Sequence, residues 1–164
     1  MSGWKVSWVV VSAAALVATG VGVADAKVLS RADIAKLVKA HVAEVIDGIN
    51  HQDTIKATKY DAKDMISMEG GRPPSVGMQA DREGLGAAFK YAPGWRLRLV
   101  EETVDVPASR EMAVYRSTYF QDSVENGVAM TQKTNFLAGF EREPNGEWKI
   151  AWQVVAAQEK PHKK

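Results

Sequence analysis

Apolar residues recur at steps of three and four in Ile34, Leu37, Val38, His41, Val42, Val45, Ile46 and Ile49. That spacing lays one apolar stripe along a helix and predicts an amphipathic α-helix from Ser30 to about Asn50. "SRAD" places Asp33 three residues after Ser30, close to a capping box, and Gly48 with Asn50 marks the other end. His41 lies on the stripe and reads as a partly buried helix histidine. Asp53 is placed to cap a second, short helix running to Tyr60. The run Asp64–Met68 then reads as a first strand, Gly70–Gly77 as a loop with two glycines and two prolines, and 81–91 as a third helix with Leu85, Ala88 and Phe89 inward.

After Pro93-Gly94 the period changes from near four to two. "WRLRLVEETVDV" alternates Trp95, Leu97 and Leu99 against Arg96 and Arg98. "EMAVYRSTYFQD" is a second long strand, and "ENG" at 125–127 signals a tight turn. "VAMTQKTNFLAGFE" follows, with Val128, Met130, Gln132, Thr134, Phe136 and Ala138 on one face. "EPNGE" turns again into "WKIAWQVVAAQ". Helices first and an antiparallel meander afterwards predict an α+β fold, with three N-terminal helices packed on one face of a curved sheet. Long strands covering few helices must curl, which leaves a cone with an open end.

The first 26 residues stand apart from this pattern. Lys5, an apolar run from Trp8 to Val23 and the exit Ala24-Asp25-Ala26 have the form of a secretory signal peptide. An uncleaved anchor is the rival reading, but the run is only about 16 residues, short of the roughly 20 that span a bilayer. The expected organisation is therefore a signal peptide at 1–26, one domain at 27–158 and a charged, solvated tail at 159–164. The expected location is secreted or periplasmic, with no membrane attachment once the leader is removed.

Composition narrows the chemistry. The chain has 164 residues, 46% of them hydrophobic, and a net charge of +1 with its Lys and Arg scattered, so nucleic acid is not an expected partner. Without cysteine, thiol catalysis and disulfides are excluded, and an exported domain must rely on its own core. His41 and His51 are ten apart, His162 lies in the tail, and no HExxH, EF-hand or P-loop pattern occurs. No metal and no cofactor are expected, and the Gly-x-Ser-x-Gly elbow of a serine nucleophile is absent.

The stretch "DMISMEGGRPPSVG" raises the one sharp question. Met65, Ser67 and Glu69 share one face of the first strand, and Glu69 closes it. A carboxylate against an apolar wall can have a raised pKa and act as general acid or base. The competing reading is a solvated strand-end charge paired with Arg72, three residues on. Trp95, Trp148 and Trp152 read as core or sheet-packing residues rather than ligand stackers.

The order of elements, with "GINHQD", "YDAKDMISMEGG", "VGMQADREGLGAAF", "MAVYRSTY" and "PNGEWKI", resembles the nuclear transport factor 2-like superfamily, nearest its SnoaL-like and ketosteroid-isomerase-like members. The similarity covers about residues 34–157. The resemblance implies the cone-shaped fold but no single function, because the fold hosts isomerases, cyclases, dehydratases, hydrolases and binders. It puts Glu69 at the general-base position of the isomerases, five residues after Asp64. It also puts Val45 and about Phe136 where their two oxyanion donors stand, so steroid isomerisation by that mechanism is not implied. The Asp–Arg–Asp set of the related epoxide hydrolases has no placed counterpart around Arg98 or Arg116.

Strand parity borrowed from the isomerases points Ala151, Gln153 and Val155 inward. With Val45, Met65, Ser67, Tyr119, Gln132, Thr134 and Phe136 they form the expected ligand pocket, apolar with a few polar groups. Two functions are therefore expected to compete: a secreted binder of a small apolar or amphipathic molecule, and a cofactor-independent isomerase, dehydratase or cyclase using Glu69. A third is a dimerising scaffold. The resemblance implies a homodimer through the outer sheet face, with Val114, or Tyr115 on the opposite parity, as contact residues.

Overall fold

The computed structural model describes residues 29–125 and 127–164. The expected signal peptide at 1–26 lies outside these residues. Helix α1 spans Arg31–Asn50, α2 Thr54–Ala57 and α3 Met78–Tyr91. Strand β1 spans Asp61–Glu69, β2 Ser75–Val76, β3 Arg96–Asp105, β4 Met112–Glu125, β5 Val128–Arg142, β6 Trp148–Ala157 and β7 His162–Lys163. The capping box forms: the Asp33 amide donates to Ser30 Oγ at 3.1 Å, and the Ser30 amide donates to the Asp33 carboxylate at 3.2 Å.

The strands form one sheet in the order β2-β1-β6-β5-β4-β3, with β7 added beside β5. All pairings are antiparallel except β1 with β6, which is parallel. Ile34, Val38 and Val42 of the α1 stripe pack into one core with Tyr115, Phe140, Trp148 and Ile150 of the sheet. A second cluster, Ile49, Ala57, Phe89, Leu97 and Tyr119, joins α2 and α3 to the other end of the sheet. Gly48 permits the α1–α2 contact, because a Cβ there would lie 2.5 Å from the Ala57 amide nitrogen. This is the α+β architecture expected, with a curved, unclosed sheet and helices on one face.

Three local departures matter for the site. Strand β1 opens at Asp61 rather than Asp64, because α2 stops at Ala57 and the chain turns through Thr58–Tyr60. Along β6, Gly139 pairs Trp152 and Phe140 pairs Ile150, so Ala151 is an extra, bulged residue that shifts the alternation by one. Finally, the segment 159–164, expected as a free charged tail, is exposed but folds back along β5. Thr131 pairs His162, and the Lys164 ammonium donates to Asp122 at 2.9 Å.

Candidate functional site

A cavity of about 600 Å³ lies between α1, α3 and the concave face of the sheet. Helix α1 contributes Val42, Val45, Ile46 and Ile49, and α3 contributes Asp81, Leu85 and Ala88. Those three α3 residues fall at steps of four and three, so one helix face carries both the apolar wall and a carboxylate. The sheet supplies Ser67, Tyr119, Gln132, Phe136, Gln153 and Val155, and Trp95 lines the entrance to β3.

Of the residues expected in the pocket, Val45, Ser67, Tyr119, Gln132, Phe136, Gln153 and Val155 line the cavity. Met65, Thr134 and Ala151 do not. Met65 shares a face with Ser67 but is 1% exposed and belongs to the α1–sheet core. Thr134, also 1% exposed, has a short side chain set between Gln132 and Phe136 on that strand face. Ala151 is displaced by its own bulge, so Trp148 and Ile150 precede it in the core and Gln153 and Val155 follow it into the cavity. Among the tryptophans, Trp148 is in the core and Trp152 packs against Gly139. Trp95 touches the cavity and tilts onto Phe89, with ring centroids 5.8 Å apart. Tyr115 is fully buried in the core and is removed from the dimer contacts considered for the outer face.

Glu69 stands at the mouth. Its carboxylate accepts from Arg72 Nη1 at 2.9 Å, and the two side chains are 50% and 74% exposed. That is the solvated ion pair of the competing reading, set where both residues line the cavity. Half exposed and paired with Arg72, Glu69 lines the cavity rim without the enclosure that the acid/base reading called for.

Two other carboxylates take that environment. Asp61, 4% exposed, lines the cavity, and its Oδ2 has no hydrogen-bond partner. Burial first, and then the Asp81 charge, push its pKa up to about 7 against the opposing pull of Arg82 and Lys149. Burial also raises Asp81, while hydrogen bonds from Ser67 and Gln153 hold it down. The Gln153 amide donates to Ser67 Oγ at 3.0 Å and to Asp81 Oδ1 at 3.2 Å, tying β6, β1 and α3 together at this polar end. Tyr119 is pushed up to about 12, chiefly by burial, and so presents a neutral hydroxyl. Asp61 can hold or release a proton near neutrality, beside a second carboxyl and an ordered amide–hydroxyl pair.

Neither carboxylate was singled out from the sequence. Ending the second helix at Tyr60 and starting the strand at Asp64 left Asp61 in the connection between them. Asp81 read as a helix-start charge, and it does lie in the first turn of α3, which begins three residues earlier, but there it faces the cavity. The available signal was the spacing of Asp81 to Leu85 and Ala88 on one helical face.

Helix order, sheet order and the one-sided cavity define the nuclear transport factor 2-like fold. Structural neighbours agree. A nuclear transport factor 2-like superfamily protein from Salmonella enterica serovar Typhimurium superposes at a TM-score of 0.71 with 14% identity, over 80% of this chain and 95% of that one. A ketosteroid isomerase-like protein from Erwinia carotovora atroseptica gives 0.65 with 19% identity, over 76% and 96%. An NTF2-like protein with a cystatin-like fold from Novosphingobium aromaticivorans gives 0.64 with 16% identity, over 76% and 81%. No family model matches the chain, and no curated protein sequence matches it. At these identities the likeness is one of fold.

Proposed function

We propose that the chain is an exported small-molecule-binding domain whose cone receives a compact apolar or amphipathic ligand, polar end deep. The carrying observation is the 600 Å³ cavity itself, apolar on its α1 and α3 walls and polar where Asp61, Ser67, Asp81 and Gln153 meet. A volume of that size suits a drug-sized molecule. Export rests on the leader pattern at 1–26. Native mass spectrometry of the protein isolated from its own cells tests the reading, with Leu85→Trp to fill the cavity. The expected result is a retained small molecule that the variant lacks. A ligand retained equally by the variant, or no adduct and no thermal shift with any compound of fitting size, refutes it.

A homodimer through the outer sheet face belongs to the same proposal. Val114, Leu137 and Val154 are half-buried apolar residues there, with Leu137 directly between Arg116 and Val154 in the ladder. Light scattering on a size-exclusion peak decides it, and a strict monomer removes it.

One observation favours a second reading, cofactor-independent proton transfer as in an isomerase, dehydratase or cyclase. Asp61 is a buried carboxyl in the cavity wall with an unpartnered oxygen, and burial with the Asp81 charge pushes its pKa up to about 7, the range that suits general acid–base work. Asp61, rather than Glu69, would be the acid/base. In deuterated water a bound cyclic ketone should then exchange its α-hydrogens, and Asp61→Asn should abolish the exchange while Glu69→Gln leaves it. No exchange above the solvent rate for any ketone that binds would refute this reading.

A further inference from the structure

The polar end of the cavity holds two carboxylates, and one buried carboxylate oxygen there has no hydrogen-bond partner. Asp61 on β1 and Asp81 on α3 both line the cavity, and the Asp81 charge pushes the Asp61 pKa up. Arg82 and Lys149 act on Asp61 through their charge, but their hydrogen bonds go to other groups. Arg82 Nε donates to Thr58 Oγ1 at 2.9 Å. Lys149 Nζ donates to the Lys59 carbonyl at 3.2 Å and pairs with Glu147 at 3.5 Å. At the mouth Arg72 is held by Glu69. Asp81 receives only neutral donors, from Gln153 and Ser67. Asp61, buried and lining the cavity, has an oxygen with no partner at all. A buried carboxyl left unpaired is costly, and a paired cation removes that cost.

Resting on the binding reading above, we propose that this end receives the protonated amino group of an apolar amine, held between Asp61 and Asp81. An ammonium supplies three donors, which suits the unpartnered Oδ2 of Asp61 and a carboxylate already holding neutral donors. The apolar walls, Val45, Leu85 and Phe136 among them, take the hydrocarbon part. A carboxylate ligand would add a third negative charge, and an alcohol would leave the repulsion between the two aspartates in place. Binding a cation also draws Asp61 into its ionised form, so amine binding releases a proton. The charged groups facing Asp61 are Asp81 and Arg82 from α3 and Lys149 from β6. With Asp61 at about 7, its ionised fraction rises from about a tenth at pH 6 to about nine-tenths at pH 8.

Isothermal titration of the full chain with three isosteric probes tests the idea: 1-naphthylmethylamine, 1-naphthylmethanol and 1-naphthoate. The amine should bind tightest, and its affinity should rise about 10-fold from pH 6 to pH 8. Near pH 6.5 its binding heat should depend on the buffer's ionisation enthalpy, reporting proton release, while the alcohol shows neither effect. Asp61→Asn and, independently, Asp81→Asn should each lower amine affinity at least about 10-fold at pH 8 and leave the alcohol within about twofold. An alcohol or carboxylate that binds as tightly as the amine overturns this inference but leaves the cavity reading standing. No binding by any of the three overturns both.

Discussion

Replacing Asp61 by Asn should stabilise the protein, and the gain should grow with pH. The physical basis is a carboxyl that is 4% exposed, lacks a partner on Oδ2 and faces a second acid. Its pKa rises from an ordinary 3.8 to about 7 in the folded chain, because burial and the Asp81 charge both disfavour the ionised form. The sign follows from linkage. A folded-state pKa above the unfolded one means that the folded chain binds the proton more tightly. The stability tied to that proton is complete below about pH 4 and is lost as pH rises to about 7. A rise of that size corresponds to up to about 4 kcal/mol. Asn is nearly isosteric and cannot ionise, so it avoids the loss. Urea unfolding of both chains at intervals from pH 4 to pH 8 measures it. The difference, Asn variant minus wild type, should climb across that window and level off above about pH 7.5. Taking the difference cancels the titration of distant groups, and Asp81, which titrates in the same sense, is present in both chains. A flat difference across pH 4 to 8, with both chains folded, would refute the claim that burial of Asp61 outweighs the pull of Arg82 and Lys149.

The opposite sign is expected at Asp122, whose pKa Arg98 holds below the usual carboxylate range with help from Lys164 and Thr131. Asp122→Asn should cost stability at neutral pH and cost progressively less as pH falls below about 4, as read by the same titration. Glu69→Gln should change stability by less than about 1 kcal/mol in denaturant unfolding, since an exposed ion pair contributes little. A loss of several kcal/mol there would mean that Glu69 is enclosed after all. Gly48→Ala should destabilise by about 1–3 kcal/mol in urea, against the gain that replacing a helix glycine normally brings, because the new Cβ meets the α2 backbone. A stabilised variant would show that α2 can move away at little cost.

Much of the fold was legible because its patterns are long. Seven apolar positions at steps of three and four over α1, with His41 on the same stripe, and a period of two across β3 to β6 each recur often enough to outweigh local exceptions. The site was legible only where that alternation ran unbroken. Gln132 and Phe136 on β5, and Gln153 and Val155 beyond the irregularity on β6, fall where parity puts them. Ala151 does not, because one extra residue opposite Gly139 and Phe140 resets the count, and nothing in "WKIAWQVV" marks a bulge. A glycine in the partner strand, with Trp152 laid over it, is the only trace.

The acids show a different limit. A carboxylate beside glycines and prolines at the end of an apolar strand draws the eye, and Glu69 has that setting. What tunes a carboxyl is enclosure, and enclosure is a property of the elements that close over it. Asp61 sits where β1 begins under α3, and Asp81 one turn into α3, so each is buried by a chain segment about 20 residues from it. Neither is adjacent to anything unusual in sequence. Their coupling follows from α3 crossing β1, and β6 lying parallel to β1 brings Gln153 to bond Ser67 and Asp81 at once. The chemistry of the cavity is therefore set by one helix crossing and one parallel strand pairing. Substitutions that move α3 should disturb the Asp61 proton before they disturb the sheet.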